Sequence, residues 1–221
     1  MRVKLMDIQE VLVFIMELVG TVAFSASGAM VGIEQNMDIF GVSVLGIFTA
    51  VGGGMVRDII IGTVPSALIN PVYLIVAALT ALTVFLVLYF RKKHFYGKFR
   101  AAYDTIMLIM DAIGLGVFTA VGVRTGIRAG YPDNTFLLVF LGTLTGVGGG
   151  LMRDTMAGVP PYIFVKHIYA LASIAGACVF VFIYKYIGEV AALIISSALV
   201  VIIRLLAAHY HWNLPRLKIT K

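Results

Sequence analysis

The sequence predicts an all-α polytopic membrane protein with seven transmembrane helices, arranged as two inverted three-helix repeats plus a seventh helix. Three observations predict this fold. The 221-residue chain is 61% hydrophobic and only 13% charged, whereas soluble domains are about half apolar and a quarter charged. Its apolar runs approach the roughly 20 residues that a helix needs to cross a bilayer. Finally, an unusual glycine motif that ends in two charges occurs twice in the chain.

Apolar runs separated by polar or Pro/Gly breaks predict the seven spans, at about 8–31, 39–62, 71–90, 104–126, 134–158, 166–185 and 189–210. The alternating polarity of transmembrane β-strands is absent from these runs. The chain, 1–221, is therefore expected to form a single membrane domain. Its predicted parts are repeat 1 at 8–90, a basic cytoplasmic linker at 91–103, repeat 2 at 104–185 and helix 7 at 189–210.

The duplication rests on the motif Gly-Gly-Gly-x-x-Arg-Asp, which stands at 52–58 and again at 148–154. Other positions also match between the halves: Glu17 corresponds to Asp111, and Thr49 to Thr145. Each repeat has an odd number of spans, so the second copy enters the membrane from the opposite side. Such inverted repeats place functional sites near the midplane, often on interrupted helices. We expect the second and fifth spans to be interrupted at their glycine triplets.

Lys and Arg residues in the loops predict the orientation, because cytoplasmic loops carry an excess of both. Nine such residues lie on the side of the linker and the C-terminus, against five on the other side. We therefore expect the N-terminus outside and the C-terminus in the cytoplasm. The second span then runs outward and carries Arg57 towards the outside, while the fifth runs inward and carries Arg153 towards the cytoplasm.

The spacing of Thr49, Gly53 and Arg57 puts a hydroxyl, exposed backbone and a cation along one helix face. The second repeat has the same pattern, so we predict an ion pathway through both. The candidate pathway residues are Thr49, Gly52, Gly53, Gly54, Arg57, Asp58, Thr145, Gly148, Gly149, Gly150, Arg153 and Asp154.

Simpler interpretations of these residues remain open. Small residues also allow close helix packing in membranes, so the glycines fit a packing role as well as a pathway. Intramembrane charges usually face a partner or water, which favours function for Arg57 and Arg153. The matched acids Glu17 and Asp111 are interpreted as charge balance, for example through an ion pair between Glu17 and Arg57.

Several classes of function are disfavoured. The motif is not a P-loop, and no nucleophile or metal-binding set is recognisable, so we predict neither an enzyme nor a cofactor or metal site. The formal net charge of +6 is spread over loops and termini. We interpret it as setting topology and contacting lipid headgroups rather than binding nucleic acid.

The doubled motif, the three-plus-three-plus-one pattern and the length together resemble bacterial members of the trimeric intracellular cation (TRIC) channel family. The resemblance implies a homotrimer in the plasma (inner) membrane, with one pore inside each protomer conducting monovalent cations, chiefly K⁺. It also implies that the second and fifth spans kink at Gly52–Gly54 and Gly148–Gly150 to form the pore.

Similar bacterial sequences are also described as small glycine-transporter-like proteins. The alternative function is therefore a secondary transporter of a small zwitterion such as glycine. Both kinds of protein use inverted repeats, and the sequence does not separate them. In either case we expect Arg57 and Arg153 to govern permeation.

Overall fold

The computed structural model describes residues 8–90, 98–165 and 168–212. Within these ranges the chain forms nine α-helices. They are α1 (Ile8–Glu34), α2 (Ile39–Ile61), α3 (Ser66–Ile69), α4 (Val72–Phe90), α5 (Lys98–Arg128), α6 (Thr135–Met156), α7 (Tyr162–Val165), α8 (Ala170–Ile187) and α9 (Glu189–His209).

Seven of the helices in the described ranges are long and apolar enough to cross a membrane, namely α1, α2, α4, α5, α6, α8 and α9. The predicted all-helical class with seven membrane-crossing helices is therefore confirmed. The order of two long helices, one short helix and one long helix occurs twice, and α9 follows the second copy.

Local signals in the sequence explain where the two motif-bearing helices begin and end. The Asp38 side chain accepts a hydrogen bond from the Gly41 N–H at 2.7 Å and caps the start of α2. Asn134 caps α6 in the same way through the Leu137 N–H at 3.1 Å. Gly62, with φ 82°, takes the left-handed conformation that commonly ends a helix.

The basic linker is shorter than predicted. Residues 98–103 belong to α5, and only 91–97 lie outside the described residues. A tertiary contact helps to hold the additional helical turns in place, because the buried Tyr103 donates its hydroxyl to the Met30 carbonyl of α1. Such a contact has no local signature in the sequence.

The helices α3 and α7 were not predicted; their residues were expected to form breaks between spans. Each is four residues long, too short to show a helical period. They occupy matching places between the second and third spans of their repeats. The partners that hold them come from the Arg-Asp motifs.

The centre of the bundle is made by α1, α2, α5 and α6, which pack most extensively on one another, with α9 against α5. In contrast, only 11% of the α4 span is buried. Buried alanines such as Ala77, Ala81, Ala112 and Ala120 let the helices approach closely. Both glycine motifs consequently lie in the interior of the bundle.

Candidate functional site

The two glycine triplets meet where α2 crosses α6. A Cβ atom added to Gly53 would overlap the Thr145 carbonyl oxygen, and one added to Gly149 would overlap the Thr49 carbonyl oxygen. At Gly148 an added Cβ would lie 2.9 Å from the Gly53 Cα. The backbones of the two helices are therefore in direct contact, which requires glycine at these positions.

The predicted interruption of these helices is wrong for this conformation. Both α2 and α6 are continuous helices through Gly52–Gly54 and Gly148–Gly150. The neighbouring backbone occupies the space that a side chain would otherwise fill. The glycines are thus explained by close approach of two intact helices.

The two threonines of the predicted pathway have equivalent environments. The Thr49 hydroxyl donates to the Leu45 carbonyl at 2.6 Å, and the Thr145 hydroxyl donates to the Leu141 carbonyl at 2.6 Å. Both side chains are buried, against Gly28 of α1 and Gly122 of α5 respectively. In this conformation the hydroxyls pack between helices within each repeat.

Each Arg-Asp pair joins its own helix to the short helix that follows. The Nε of Arg57 donates to Asp58 Oδ1 at 2.8 Å, while Asp58 Oδ2 accepts from the Ser66 N–H at 2.8 Å. In the second repeat Arg153 Nε donates to Asp154 Oδ1 at 2.8 Å, and Asp154 Oδ2 accepts from the Tyr162 N–H at 2.8 Å. Each aspartate therefore pairs with a cation and also caps the N-terminus of α3 or α7.

The acids Glu17 and Asp111 each face a tyrosine of the same repeat. Tyr73 donates its hydroxyl to Glu17 Oε2, and the Tyr169 hydroxyl lies 3.4 Å from Asp111 Oδ1. Like the glycine motifs, the two tyrosines are 96 residues apart. Each repeat thus contains an acid, an Arg-Asp pair and a tyrosine contributed by three successive segments.

In repeat 2 this set of residues is sealed from solvent. Arg153 is 0% exposed and its Nη1 lies 2.6 Å from Asp111 Oδ1, so the acid and the arginine of this repeat form an ion pair. The same Nη1 donates to the Ser27 hydroxyl of α1, and the guanidinium lies over the Tyr162 ring at 5.0 Å. Asp111 and Asp154 are likewise 0% exposed, so solvent does not reach these charges.

In repeat 1 the corresponding residues border a cavity instead. The ion pair suggested between Glu17 and Arg57 is replaced here by an Arg57–Asp58 pair, with Nη2 2.7 Å from Oδ1. Beside it lies a cavity of about 280 Å³. Its lining residues include Glu17, Thr21, Gly54, Arg57, Asp58, Thr63, Ser66, Tyr73 and Thr125. The Arg57–Asp58 pair is itself buried, with side chains 6% and 4% exposed. The two halves of the chain, alike in sequence, therefore differ in the adjoining cavity.

The charges on the cavity wall favour cations. Two carboxylates, Glu17 and Asp58, face one guanidinium, that of Arg57, so the wall carries a formal charge of −1. Within the described ranges, no group of three His, Cys, Asp or Glu side chains is arranged to hold a metal ion. The cavity could attract a mobile cation, but its donor set is not that of a resident metal.

Three of the site residues that sequence reasoning missed carry a signal in the sequence. Arg204 of α9 is 1% exposed, and its guanidinium stacks on Tyr169 at 4.6 Å. It is the sole charge in the apolar run 190–208, a signal that could have identified it. Tyr73 and Tyr169 could have been found through the spacing that they share with the glycine motif.

A family model described as Glycine transporter matches the chain twice, over residues 14–89 and 108–185. One match lies in each half of the chain. Two curated relatives are similar over nearly the whole length. The UPF0126 inner membrane protein YadS of Escherichia coli (strain K12) is 36% identical over 209 residues, which are 92% of this chain and 95% of that protein. The UPF0126 membrane protein YvgT of Bacillus subtilis (strain 168) is 33% identical over 205 residues, or 91% and 94%.

Solved structures share the fold. A structure from work on conductance through TRIC cation channels is 36% identical, with a TM-score of 0.79, and the match covers 94% of this chain and 98% of that one. A prokaryotic TRIC channel crystallised in 0.5 M KCl is 28% identical, with a TM-score of 0.83 and coverage of 93% and 100%. A TRIC trimeric intracellular cation channel orthologue from Rhodobacter sphaeroides is 26% identical, with a TM-score of 0.79 and coverage of 90% and 98%.

Proposed function

This chain belongs to the bacterial TRIC family, and we propose that it is a cation channel. The observation that carries the proposal is its likeness, at 36% identity over 94% of the chain, to a structure described as a TRIC cation channel. The proposed ion is K⁺. We expect each protomer of a homotrimer in the plasma (inner) membrane to contain one pore.

The proposed pore runs between α2 and α6. It begins in the cavity beside Glu17 and Arg57, passes the crossing of the glycine triplets, and ends at the site of Arg153 and Asp111. The carboxylate excess on the cavity wall supports cation entry, because a cleft lined by one sign of charge concentrates the opposite ion. Tight backbone contact at the crossing and the buried second site support a closed state of the proposed pore.

The predicted orientation of the chain gives the proposed route a direction. With the N-terminus outside and the C-terminus cytoplasmic, the cavity opens outward and the sealed site faces the cytoplasm. Most of the basic residues that support this orientation lie outside the described residues, at 1–7, 91–97, 166–167 and 213–221. Within the description, Arg124 and Arg128 of α5 bond Glu10 and Glu189 at the end assigned to the outside.

The trimer is proposed from one relative described as a trimeric channel and from the apolar surface of α4, which needs lipid or another subunit to cover it. Native mass measurement in nanodiscs tests the assembly. We expect three copies of the 23.9 kDa chain. A monomer that conducts would show that the pore needs no trimer.

A second candidate function is transport of a small zwitterion, which the name of the matched family suggests. One observation favours it. The cavity presents a carboxylate, Glu17, and a guanidinium, Arg57, on the same wall, and these groups complement the ammonium and carboxylate of an amino acid. A transporter also requires a movement that closes the outer cavity and opens the inner site.

Reconstitution separates the two candidates. Liposomes that contain the purified protein are divided between single-channel recording in K⁺ and uptake of radiolabelled glycine. A channel gives discrete cation currents without saturable glycine uptake. Saturable uptake driven by a gradient, in the same preparation and without unitary currents, would overturn the channel proposal.

A further inference from the structure

Arg204 is a buried cation outside the repeats. It lies on α9, which has no counterpart in the first half of the chain, and its side chain is 1% exposed. The guanidinium stacks on the Tyr169 ring with its Cζ 4.6 Å from the centroid. The first repeat therefore has a site of acid, arginine and tyrosine, whereas the second has the same site with an additional arginine.

Two of the three guanidinium nitrogens of Arg204 have no hydrogen-bond acceptor in this conformation. Its Nε and Nη1 have no hydrogen-bond partner. Its Nη2 lies 3.9 Å from Asp111 Oδ2, beyond the roughly 3.2 Å of a hydrogen bond. Leaving buried donors of a charged group unpaired is costly. An arrangement that brings Arg204 closer to a carboxylate would therefore stabilise this side chain.

One carboxylate oxygen of Asp111 accepts no hydrogen bond, and it lies close to the guanidinium of Arg204. Its Oδ1 is engaged by Arg153 at 2.6 Å, while its Oδ2 is buried without a hydrogen-bond partner. A shift of about 1 Å between Oδ2 and the Arg204 Nη2 would form an ion pair with hydrogen-bond geometry. Asp111 thus lies between two guanidinium groups and bonds only one of them.

We propose that Arg204 competes with Arg153 for Asp111 and that this exchange opens the sealed end of the pore. In the closed conformation Arg153 is held by Asp111, Asp154 and Ser27. A turn of the Asp111 carboxylate that brings Oδ2 to Arg204 draws Oδ1 away from Arg153. Arg153 then keeps only Asp154 of its two carboxylates and can withdraw from Ser27. Arg204 is then a positioning residue that acts through Asp111, and its role rests on the proposed channel function.

Removing Arg204 leaves Asp111 with Arg153 alone and therefore favours the closed pore. The test places a cysteine at Ser27, in a Cys178→Ala background, and follows its modification by a small water-soluble thiol reagent. We expect Arg204→Gln to slow this modification, and to lower the open probability, by at least about fivefold, the lower end of typical coupling between linked sites. Arg204→Lys keeps the positive charge but loses the planar guanidinium group, so it should give an intermediate rate of thiol modification.

Two controls separate competition from packing. A cysteine at Thr63, which lines the outer cavity, should react at the same rate with and without Arg204. In an Asp111→Asn background, Arg204→Gln should have no further effect, because the shared carboxylate is gone. Arg204→Met keeps the stem on Tyr169 and decides the matter if the Gln variant does not fold.

Unchanged or faster modification at Ser27→Cys in the Gln or Met variant, with normal labelling at Thr63→Cys, would overturn the competition. An effect of equal size in the Asp111→Asn background would overturn it as well. The labelling does not require ion flux. A wild-type protein that passes no cation therefore contradicts the channel function, whereas the labelling rates still decide the role of Arg204.

Discussion

Glu17 and Asp111 stand at equivalent places in the two repeats, yet their carboxylates have different partners. Asp111 is 0% exposed and pairs with Arg153, whereas Glu17 lines a cavity and accepts the Tyr73 hydroxyl. A buried ion pair mainly satisfies the charges that form it. A carboxylate at the wall of a water-accessible cavity can also attract mobile ions, so we assign the two acids different roles.

Glu17→Gln should reduce K⁺ conductance by about twofold or more at about 0.1 M salt, because the cavity loses its excess negative charge. The difference from wild type should vanish near 1 M salt, where the Debye length falls to about 3 Å. Asp133→Asn is the matched control, since Asp133 is exposed and pairs with Lys185 away from the cavity. A deficit in the Gln variant that is independent of salt would contradict this role.

Arg153→Ala should destabilise the protein far more than Arg57→Ala. Loss of Arg153 leaves Asp154 buried without its cation and Asp111 with only the more distant Arg204, and breaking such a network costs about 3–5 kcal/mol. Asp58, in contrast, borders the cavity, where water can solvate it when Arg57 is lost. Thermal unfolding in detergent measures the difference. Equal losses of thermal stability in the two variants would contradict this difference between the two sites.

At the scale of helices, the crossing of α2 and α6 defines the centre of the molecule. The backbones touch at Gly53 and Gly149, and each helix remains continuous. A change in width along the proposed pore therefore requires the two helices to move relative to each other. At Gly53 and Gly149 the two helices meet backbone to backbone, while Met152 of α6 packs against Gly52 beside them.

The three positions of a triplet should respond differently to alanine. Gly53→Ala and Gly149→Ala place a methyl group on a carbonyl oxygen of the other helix and should destabilise by about 1–3 kcal/mol. Gly54→Ala is the control, since its added Cβ would meet only Arg57 Nη2 at 3.6 Å. There the better helix propensity of alanine should maintain or raise the melting temperature. Equal effects at Gly53 and Gly54 would contradict the crossing.

The sequence was informative where a signal repeats or extends over many residues. Hydropathy predicted the seven spans, and the duplicated motif identified Gly53 and Gly149 as equivalent positions of two repeats. The sealed state of Arg153 could not be predicted, because Asp111, Ser27 and Tyr162 are brought to it by tertiary packing. The same holds for α3, whose start is held by Asp58 from eight residues earlier. Arg204 was visible as a lone charge, but its partner was not.

At the scale of the whole molecule, two halves of similar sequence have different structures along the proposed route. The first half holds an open cavity and the second a buried ion-pair network. Because α9 follows only the second repeat, it supplies Arg204 to one side alone. The duplication therefore accounts for the shared architecture, while the additional helix distinguishes the two ends of the route.

The topology predicts which side of the membrane each loop faces. Cysteine at Gly97, in a Cys178→Ala background, should be labelled only from the cytoplasm, and cysteine at Asp133 only from outside. Membrane-impermeant thiol reagents label the outer side in intact cells and the cytoplasmic side in inverted vesicles. Labelling of both positions from the same side would contradict seven spans, and a reversed pattern would invert the proposed direction of the pore.

The most direct test of the central claim, that cations pass between α2 and α6, uses a cysteine at Gly54. This position lines the cavity beside Arg57 and has room for a side chain. In a Cys178→Ala background, a bulky cationic thiol reagent applied to the cavity side should progressively block the single-channel K⁺ current as labelling proceeds. The same reagent on Asp133→Cys should label fully and leave the current intact. Complete modification of Gly54→Cys with an undiminished current would show that the ions take another route.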